Sequence, residues 1–242
     1  MKTVVVIPAR LKSSRLPNKV LLDIGGKPLI QRVWERVKTA KKVDDIYIAT
    51  DNQEIADSVK SFGGKYILTS EKHQSGTDRI AEAVKNIDVD LIINVQGDEP
   101  LIDPSLIDSF VELFKDDYEV YFASAMHQIG SLEDLDNPNI VKVIRDLKDN
   151  AIYFSRSRIP FSRDGEISTE NYFQHIGVYA YKKAFLLEYS KLPQTFMERT
   201  EKLEQLRAIE NGFKIRMVET DYRSVGVDTL EDLEKVRKII EI

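Results

Sequence analysis

The sequence predicts an α/β fold in which helices flank a mostly parallel sheet. Short apolar runs at Val4–Ile7, Ile46–Ala49, Tyr66–Leu68 and Leu91–Val95 alternate with segments of helical periodicity. These runs are nearly continuous in apolar residues, which is typical of strands covered on both faces. Parallel strands joined by helices are the arrangement that combines the two observations.

Helix start and stop signals lie between the predicted strands. Pro28 can occupy the first turn of a helix. Asp51 and Glu54 have the spacing of a capping box, and Gly63-Gly64 is expected to end that helix. A further helix is predicted to begin at Asp103-Pro104.

The second half of the chain is less regular and introduces antiparallel pairing. Its predicted strands are Val120–Ala125, Val141–Arg145, Ala151–Phe154, Phe173–Tyr181 and Lys214–Glu219. A helical region includes Leu203–Glu210, and a closing helix covers Leu230–Ile240. No repeat or linker-like stretch divides the sequence. Residues 1–242 are therefore predicted to form one domain, with a small antiparallel insertion at about residues 120–180.

The composition argues against several classes of protein. Of the 242 residues 42% are hydrophobic, which is enough for a core and argues against disorder. The net charge of −5 argues against a nucleic-acid binder, which is usually basic. The absence of cysteine removes disulfide and thiolate chemistry and fits a reducing compartment. No run approaches the roughly 20 apolar residues of a membrane span, so a cytoplasmic protein without membrane insertion is expected.

A basic loop follows the first predicted strand. Between Pro8 and Lys19 it carries four cations and no acid, namely Arg10, Lys12, Arg15 and Lys19. Ligands of parallel sheets bind beyond the carboxyl ends of the strands, where this loop emerges. Its charges could grip a triphosphate and neutralise a leaving group. The alternative is a solvated surface loop, since neither a Walker lysine motif nor a GxGxxG fingerprint is present.

Two aspartates are candidate metal ligands. Asp98 lies in Gln96-Gly97-Asp98-Glu99-Pro100, directly after a predicted strand, where a carboxylate suits a Mg²⁺ ion that bridges phosphate oxygens. Asp228 precedes the closing helix, where Thr229 and Asp232 have the spacing of a capping box. An ordinary acidic turn at Asp98 and a helix cap near Asp228 are the alternatives.

Further candidates lie at a helix start and in the second half of the chain. Ser75-Gly76-Thr77-Asp78-Arg79 opens a helix, whose free amides can read a base edge or bind an anion. A plain N-cap explains the same residues. Six polar residues could form a substrate pocket if the fold brings them together: Arg156, Arg163, His175, Tyr179, Glu204 and Gln205.

A series of short segments follows in an order that is not generic. They are Ile7-Pro8-Ala9-Arg10, Ser13-Ser14-Arg15-Leu16-Pro17 with Lys19, Gln74–Arg79, Asn94–Pro100, Tyr153–Arg156 with Ile159-Pro160, His175–Tyr179, Leu203–Arg207 and Gly226–Thr229. Together they resemble the 3-deoxy-manno-octulosonate (Kdo) cytidylyltransferase family over essentially the whole chain. The resemblance implies a Rossmann-like fold of the nucleotide-diphospho-sugar transferase type, usually as a homodimer. It also implies CMP transfer from CTP to the anomeric 2-hydroxyl of Kdo, for lipopolysaccharide biosynthesis.

The resemblance also implies roles for individual residues. The catalytic residues would be Lys19, Asp98 and Arg15, and the Mg²⁺ ligands would be Asp98 and Asp228. CTP would be bound by Pro8, Ala9, Arg10, Arg15, Lys19, Ser75, Gly76, Arg79 and Gln96. The sugar would be bound by Gln96, Arg156, Arg163, His175, Tyr179, Glu204 and Gln205.

One loop departs from the family pattern Arg-Leu-Pro-Gly-Lys-Pro-Leu. Asn18 and Val20 replace its glycine and second proline, while Lys19 is retained. Asparagine tolerates positive φ, so the turn is expected to survive.

Three alternatives to Kdo activation stay open. They are activation of 8-amino-Kdo, activation of another sugar acid such as a sialic acid, and a non-catalytic nucleotide-sugar binding protein. The segments Tyr153–Pro160 and Leu203–Arg207 favour Kdo over sialic acid but do not separate Kdo from its 8-amino form. Retention of Lys19, Asp98 and Asp228 argues against a non-catalytic protein.

Overall fold

The computed structural model describes residues 1–11, 16–73, 75–165 and 168–240. The strands in these ranges are β1 (Thr3–Ala9), β2 (Asp23–Ile24), β3 (Lys27–Pro28), β4 (Asp45–Thr50), β5 (Lys65–Leu68), β6 (Leu91–Asn94), β7 (Phe122–Gln128), β8 (Lys142–Arg145), β9 (Ala151–Ser155), β10 (Phe173–Lys182) and β11 (Arg216–Glu219). The α-helices are α1 (Leu29–Val37), α2 (Gln53–Ser61), α3 (Gly76–Val84), α4 (Pro104–Asp116), α5 (Leu132–Asp136), α6 (Lys183–Tyr189), α7 (Phe196–Glu201), α8 (Leu206–Glu210) and α9 (Leu230–Ile240). Short 3₁₀ helices cover Lys19–Leu21 and Thr169–Asn171. None of the helices in the described ranges has the length and apolar composition needed to cross a membrane.

A mixed sheet forms the centre of the protein. Its strand order is β11-β7-β10-β6-β1-β4-β5, and β8 joins it by pairing with β10 and β9. β1 pairs in parallel with β4 and β6, and β4 pairs in parallel with β5. β10 runs antiparallel to β6 and β7, whereas β11 is parallel to β7. The predicted fold class is confirmed, with parallel pairing in the first half and antiparallel pairing entering in the region of residues 120–180.

Hydrophobic clusters cover both faces of this sheet. Val5 and Ile7 of β1 belong to the cluster that includes α1 and α4, whereas Val4 and Val6 belong to the cluster that includes α3 and α6. All four side chains are fully buried. This two-sided burial explains the continuous apolar run in the sequence, because alternate residues of a strand point to opposite faces.

Several local predictions are confirmed and two are wrong. α4 begins at Pro104 with Asp103 as its N-cap, and α9 covers the predicted residues. The N-cap of α2 is Asn52 rather than Asp51, because the Asn52 side chain accepts the first free backbone N–H groups of that helix. The helical region predicted at Leu203–Glu210 is interrupted, since Lys202 has a φ of 55° and ends α7 before α8 begins.

Candidate active site

The carboxyl ends of β1 and β6 lie side by side because these strands are parallel neighbours. The segments that follow them therefore emerge at the same edge of the sheet. A side chain at Gly97 would place its Cβ 2.9 Å from the carbonyl oxygen of Pro8, which is too close for any other residue without a shift. Glycine thus allows the chain after β6 to cross the end of β1, and this crossing positions Asp98.

Lys19, Asp98 and Asp228 form a compact charged group at this edge. The Lys19 Nζ lies 2.6 Å from Asp98 Oδ2 and 2.9 Å from Asp228 Oδ1. Burial by itself lowers the pKa of Lys19, but the charges and hydrogen bonds of the two aspartates outweigh it and raise that pKa above its ordinary value. Lys19 is therefore an ammonium ion at neutral pH, and the two predicted metal ligands lie on either side of it.

The substituted turn before Lys19 has the expected conformation. Asn18 lies in the left-handed region, at a φ of 54° and a ψ of 25°. Asparagine is one of the few residues other than glycine that adopt this region readily. The turn leads into the 3₁₀ helix Lys19–Leu21, where the buried Val20 side chain packs in the core. The departure from the family loop therefore leaves Lys19 in contact with both aspartates.

The predicted sugar residues of the second half converge largely as a group. A cavity of about 370 Å³ is lined by Gln96, His175, Tyr179, Glu204 and Gln205, together with Gly76 from the predicted CTP set. Asn139 and Lys202 also line it and were missed, because their sequence context carries no motif that points to a pocket. Asn94 lines it too, and it lies in the Asn94–Pro100 segment but was given no role. The antiparallel register of β10 brings its residues beside β6, and this register was not readable from the sequence.

His175 is a buried residue on the wall of this cavity, and its ring is neutral. Its Nε2 lies 2.8 Å from the Ser124 hydroxyl oxygen, and its Nδ1 lies 3.5 Å from the Gln205 side-chain nitrogen. Burial lowers the pKa of His175 to about 3. The Tyr179 hydroxyl donates to Gln205 Oε1 at 3.3 Å, and burial raises the pKa of this tyrosine. His175 and Tyr179 therefore present neutral hydrogen-bonding groups to the cavity.

Glu204 brings an unsatisfied acceptor to the cavity. Its Oε1 is buried and has no hydrogen-bond partner within the part of the chain that the structure describes. Burial raises the pKa of this carboxyl group, and Thr77 and Arg207 oppose that shift. Since buried polar atoms are almost always hydrogen-bonded, a ligand hydroxyl is a natural partner for Glu204.

The predicted CTP residues are divided between the strand end and the start of α3. Pro8 and Ala9 are the last residues of β1. The Ser75 hydroxyl caps α3 by accepting from the Asp78 N–H, as the N-cap alternative required. A Cβ on Gly76 would lie 3.3 Å from the Pro8 ring, so the start of α3 packs closely against the end of β1.

The arginines differ in their surroundings. Arg79 is buried, and its guanidinium donates to the Thr69 hydroxyl at 2.7 Å and to Asp51 at 2.6 Å. It shares a second cavity of about 500 Å³ with the exposed Arg10. Arg15, predicted as catalytic, lies outside the described residues.

Two arginines predicted to bind the sugar lie outside the cavity that holds His175. The Arg156 guanidinium donates to the backbone oxygens of Glu201 at 2.7 Å and Pro138 at 2.9 Å. Arg163 is exposed to solvent. Neither side chain lines the cavity of about 370 Å³. Their contact with a sugar therefore stays a prediction.

Known proteins match this chain over nearly all of its length. A family model described as cytidylyltransferase matches residues 4–215. A 3-deoxy-manno-octulosonate cytidylyltransferase from Francisella tularensis is 51% identical over 98% of both chains, and one from Geobacter sulfurreducens is 46% identical over 98% of both. The chain belongs to the 3-deoxy-manno-octulosonate cytidylyltransferase family. A solved structure of CMP:2-keto-3-deoxy-manno-octonic acid synthetase complexed with CTP has a TM-score of 0.94 and 43% identity, and the match covers 100% of this chain and 99% of that one.

Family membership confirms the resemblance found in the sequence and makes the protein a nucleotidyltransferase enzyme. The roles of individual residues rest on the geometry described above, and these roles stay predictions.

The neutral state of His175 has a measurable effect on stability. Below pH 6.5, the ordinary pKa of histidine, the His175 ring binds a proton in the unfolded chain but stays neutral in the folded protein. The free energy of unfolding therefore falls as the pH falls. The loss is about 1.4 kcal/mol per pH unit, or about 2 kcal/mol from pH 6.5 to pH 5. Urea unfolding at pH 7 and pH 5 is expected to show this loss in the wild type and a smaller one in His175→Gln. An equal loss in both proteins would contradict the burial of a neutral ring.

Proposed function

We propose that this protein transfers CMP from CTP to the anomeric 2-hydroxyl of Kdo and releases pyrophosphate. The observation that carries the proposal is the full-length match, at a TM-score of 0.94, to a synthetase of this type complexed with CTP. The charged group at Lys19 and the polar cavity at His175 supply the two halves of a site for such a reaction. The product would serve lipopolysaccharide biosynthesis, as the resemblance to the family implies.

CTP would lie across the carboxyl ends of β1 and β6. Ser75 and Gly76 at the start of α3 would face the base, and Gln96 would lie between the base and the sugar. Lys19 is an ammonium ion at neutral pH and would face the phosphates that leave as pyrophosphate. Arg10 and Arg15 belong to the same basic loop and would add charge there.

We propose Asp98 and Asp228 as the ligands of a Mg²⁺ ion. The Lys19 contacts support this proposal, because Asp98 and Asp228 lie 2.6 Å and 2.9 Å from the same ammonium nitrogen. Among the described residues there is no group of three or more histidine and acidic side chains able to form an all-protein cage. Mg²⁺ typically needs only one or two carboxylates, since phosphate oxygens and water complete its shell. When bound, the ion would lower the pKa of the attacking hydroxyl and neutralise charge on the α-phosphate.

The sugar would occupy the cavity beside this charged group. Neutral His175, Tyr179 and Gln205 can exchange hydrogen bonds with hydroxyl groups, and the unsatisfied Glu204 oxygen can accept one more. The 2-hydroxyl would then attack the α-phosphorus in line with the departing pyrophosphate, without a covalent protein intermediate. Positioning and charge neutralisation supply the acceleration of such a transfer.

Asp98 is expected to be essential for turnover. Asp98→Asn keeps the size of the side chain but removes the charge, so pyrophosphate release with CTP and Kdo should fall at least about 100-fold. Asp88→Asn is the matched control, because Asp88 is fully exposed and its nearest cation lies 3.9 Å away. Circular dichroism should show folded protein for both variants. A rate near the wild-type value in Asp98→Asn would overturn the metal assignment.

A panel of sugar acids tests the substrate. Pyrophosphate release should be fastest with Kdo, compared with 8-amino-Kdo and a sialic acid at equal concentration, because the family matches are to enzymes named for Kdo. Faster turnover of 8-amino-Kdo would identify 8-amino-Kdo, and not Kdo, as the preferred substrate. No release with any sugar from folded protein would support a non-catalytic binding protein.

We also propose that the protein is a cytoplasmic homodimer. The region of residues 120–180 exposes several large apolar side chains that a partner subunit could cover: Leu132, Leu147, Ile152 and Phe161. Light scattering in solution is expected to give twice the mass of the chain. The mass of a single chain at micromolar concentration would contradict the dimer.

A further inference from the structure

Glu99 is a buried carboxylate beside the proposed metal ligands, and the reaction does not use it. Its exposed fraction is 8%, whereas the side chain of the neighbouring Asp98 is 29% exposed. Glu99 Oε2 accepts a hydrogen bond from the Tyr222 hydroxyl at 2.9 Å, and Oε1 accepts one from the Ser224 hydroxyl at 2.5 Å. These donors are 123 and 125 residues away in sequence, so Glu99 joins two distant segments of the chain.

The same two segments meet again next to Asp228. The Val227 N–H donates to the Asp98 carbonyl oxygen at 2.9 Å. A Cβ on Gly226 would lie 3.4 Å from Glu99 Oε1, so the segment passes directly against the buried carboxylate. Three hydrogen bonds thus tie the loop of Asp98 to the residues that precede Asp228.

The far side of Asp228 is fixed separately. Thr229 and Asp232 form the predicted capping box, in which the Thr229 N–H donates to Asp232 at 2.9 Å and the Asp232 N–H donates to Thr229 at 3.2 Å. Asp228 therefore lies between a helix start and the segment that Glu99 holds. Its distance from Asp98 depends on both attachments.

A purely structural carboxylate would be a poor choice at this position. Burial of a carboxylate costs free energy that an apolar side chain of similar size avoids. Both hydroxyl donors serve to satisfy Glu99, and both lie within six residues of Asp228. The buried Glu99 carboxylate therefore lowers the free energy of unfolding, while its hydrogen bonds restrain the segment that precedes Asp228.

We propose that Glu99 is a positioning residue that, through Tyr222 and Ser224, holds Asp228 at the distance from Asp98 that a divalent cation requires. The proposal rests on the metal assignment in the proposed function. Groups that orient metal ligands commonly change metal affinity 10- to 100-fold when they are replaced. Loss of the two hydroxyls should therefore weaken metal binding without touching the sugar cavity.

The test uses Mn²⁺ alone as the probe, with binding to the intact protein measured by electron paramagnetic resonance. Tyr222→Phe combined with Ser224→Ala is expected to raise the Mn²⁺ dissociation constant about 10-fold or more. The Mg²⁺ concentration that gives half-maximal pyrophosphate release should rise by a similar factor, while the KM for the sugar stays unchanged. Ser224→Thr retains the hydroxyl and is expected to keep the wild-type affinity, whereas Ser224→Ala alone is not.

Tyr121→Phe is the matched control. The Tyr121 hydroxyl accepts from the Lys214 N–H at 2.8 Å, just before β7 and β11 begin, so it lies at the opposite edge of the sheet. Its loss should lower the melting temperature but leave Mn²⁺ binding unchanged. The proposal is overturned if the folded double variant binds Mn²⁺ like the wild type. If the double variant does not fold, the Mn²⁺ affinity of Ser224→Ala is compared with that of the wild type instead, and an unchanged affinity overturns the proposal.

The wild type separates this proposal from the proposed function. Wild-type protein that releases pyrophosphate but binds no Mn²⁺ would overturn the metal assignment and the role of Glu99 together. Wild-type protein that binds Mn²⁺ but transfers nothing would overturn the proposed function alone. In that second case, weaker Mn²⁺ binding in the double variant would still support the role of Glu99.

Discussion

The contact of the Lys19 ammonium with Asp98 and Asp228 connects the parts of the site that the fold builds separately. The basic turn after β1, the loop after β6 and the segment before α9 each contribute one charged group to it. Opposite charges in a partly buried setting attract more strongly than in water, so Lys19 holds the two aspartate segments together. Parallel pairing of β1 with β6 and the absence of a side chain at Gly97 make this meeting possible.

In the proposed function, the place between the two aspartates holds a positive charge both before and during the reaction. Without substrate the ammonium of Lys19 lies there. If Asp98 and Asp228 held a metal ion, Lys19 would become available to the phosphates. The repulsion between the two carboxylates would then be compensated in both states, by Lys19 in one and by the metal ion in the other.

Local patterns in the sequence predicted the elements well, and distant contacts set the rest. The buried strand β1 and the helix α9 were predictable because apolar spacing and capping residues are local signals. The N-cap of α2 was not predictable, because Asp51 forms an ion pair with the distant Arg79 and Asn52 caps the helix instead. The cavity around His175 depends on the register of β10, and the Glu99 contacts span more than a hundred residues. No local pattern encodes either feature.

The wide separation of Lys19, Asp98 and Asp228 along the chain has a consequence during synthesis. A ribosome adds 130 residues (228 − 98) between the two aspartates, which takes on the order of ten seconds. Throughout that time the nascent chain can form β1, β4, β5 and β6, yet it lacks the second carboxylate that completes the charged group. The strands that would bind the nucleotide are therefore synthesised before Asp228, which the proposed transfer of CMP requires.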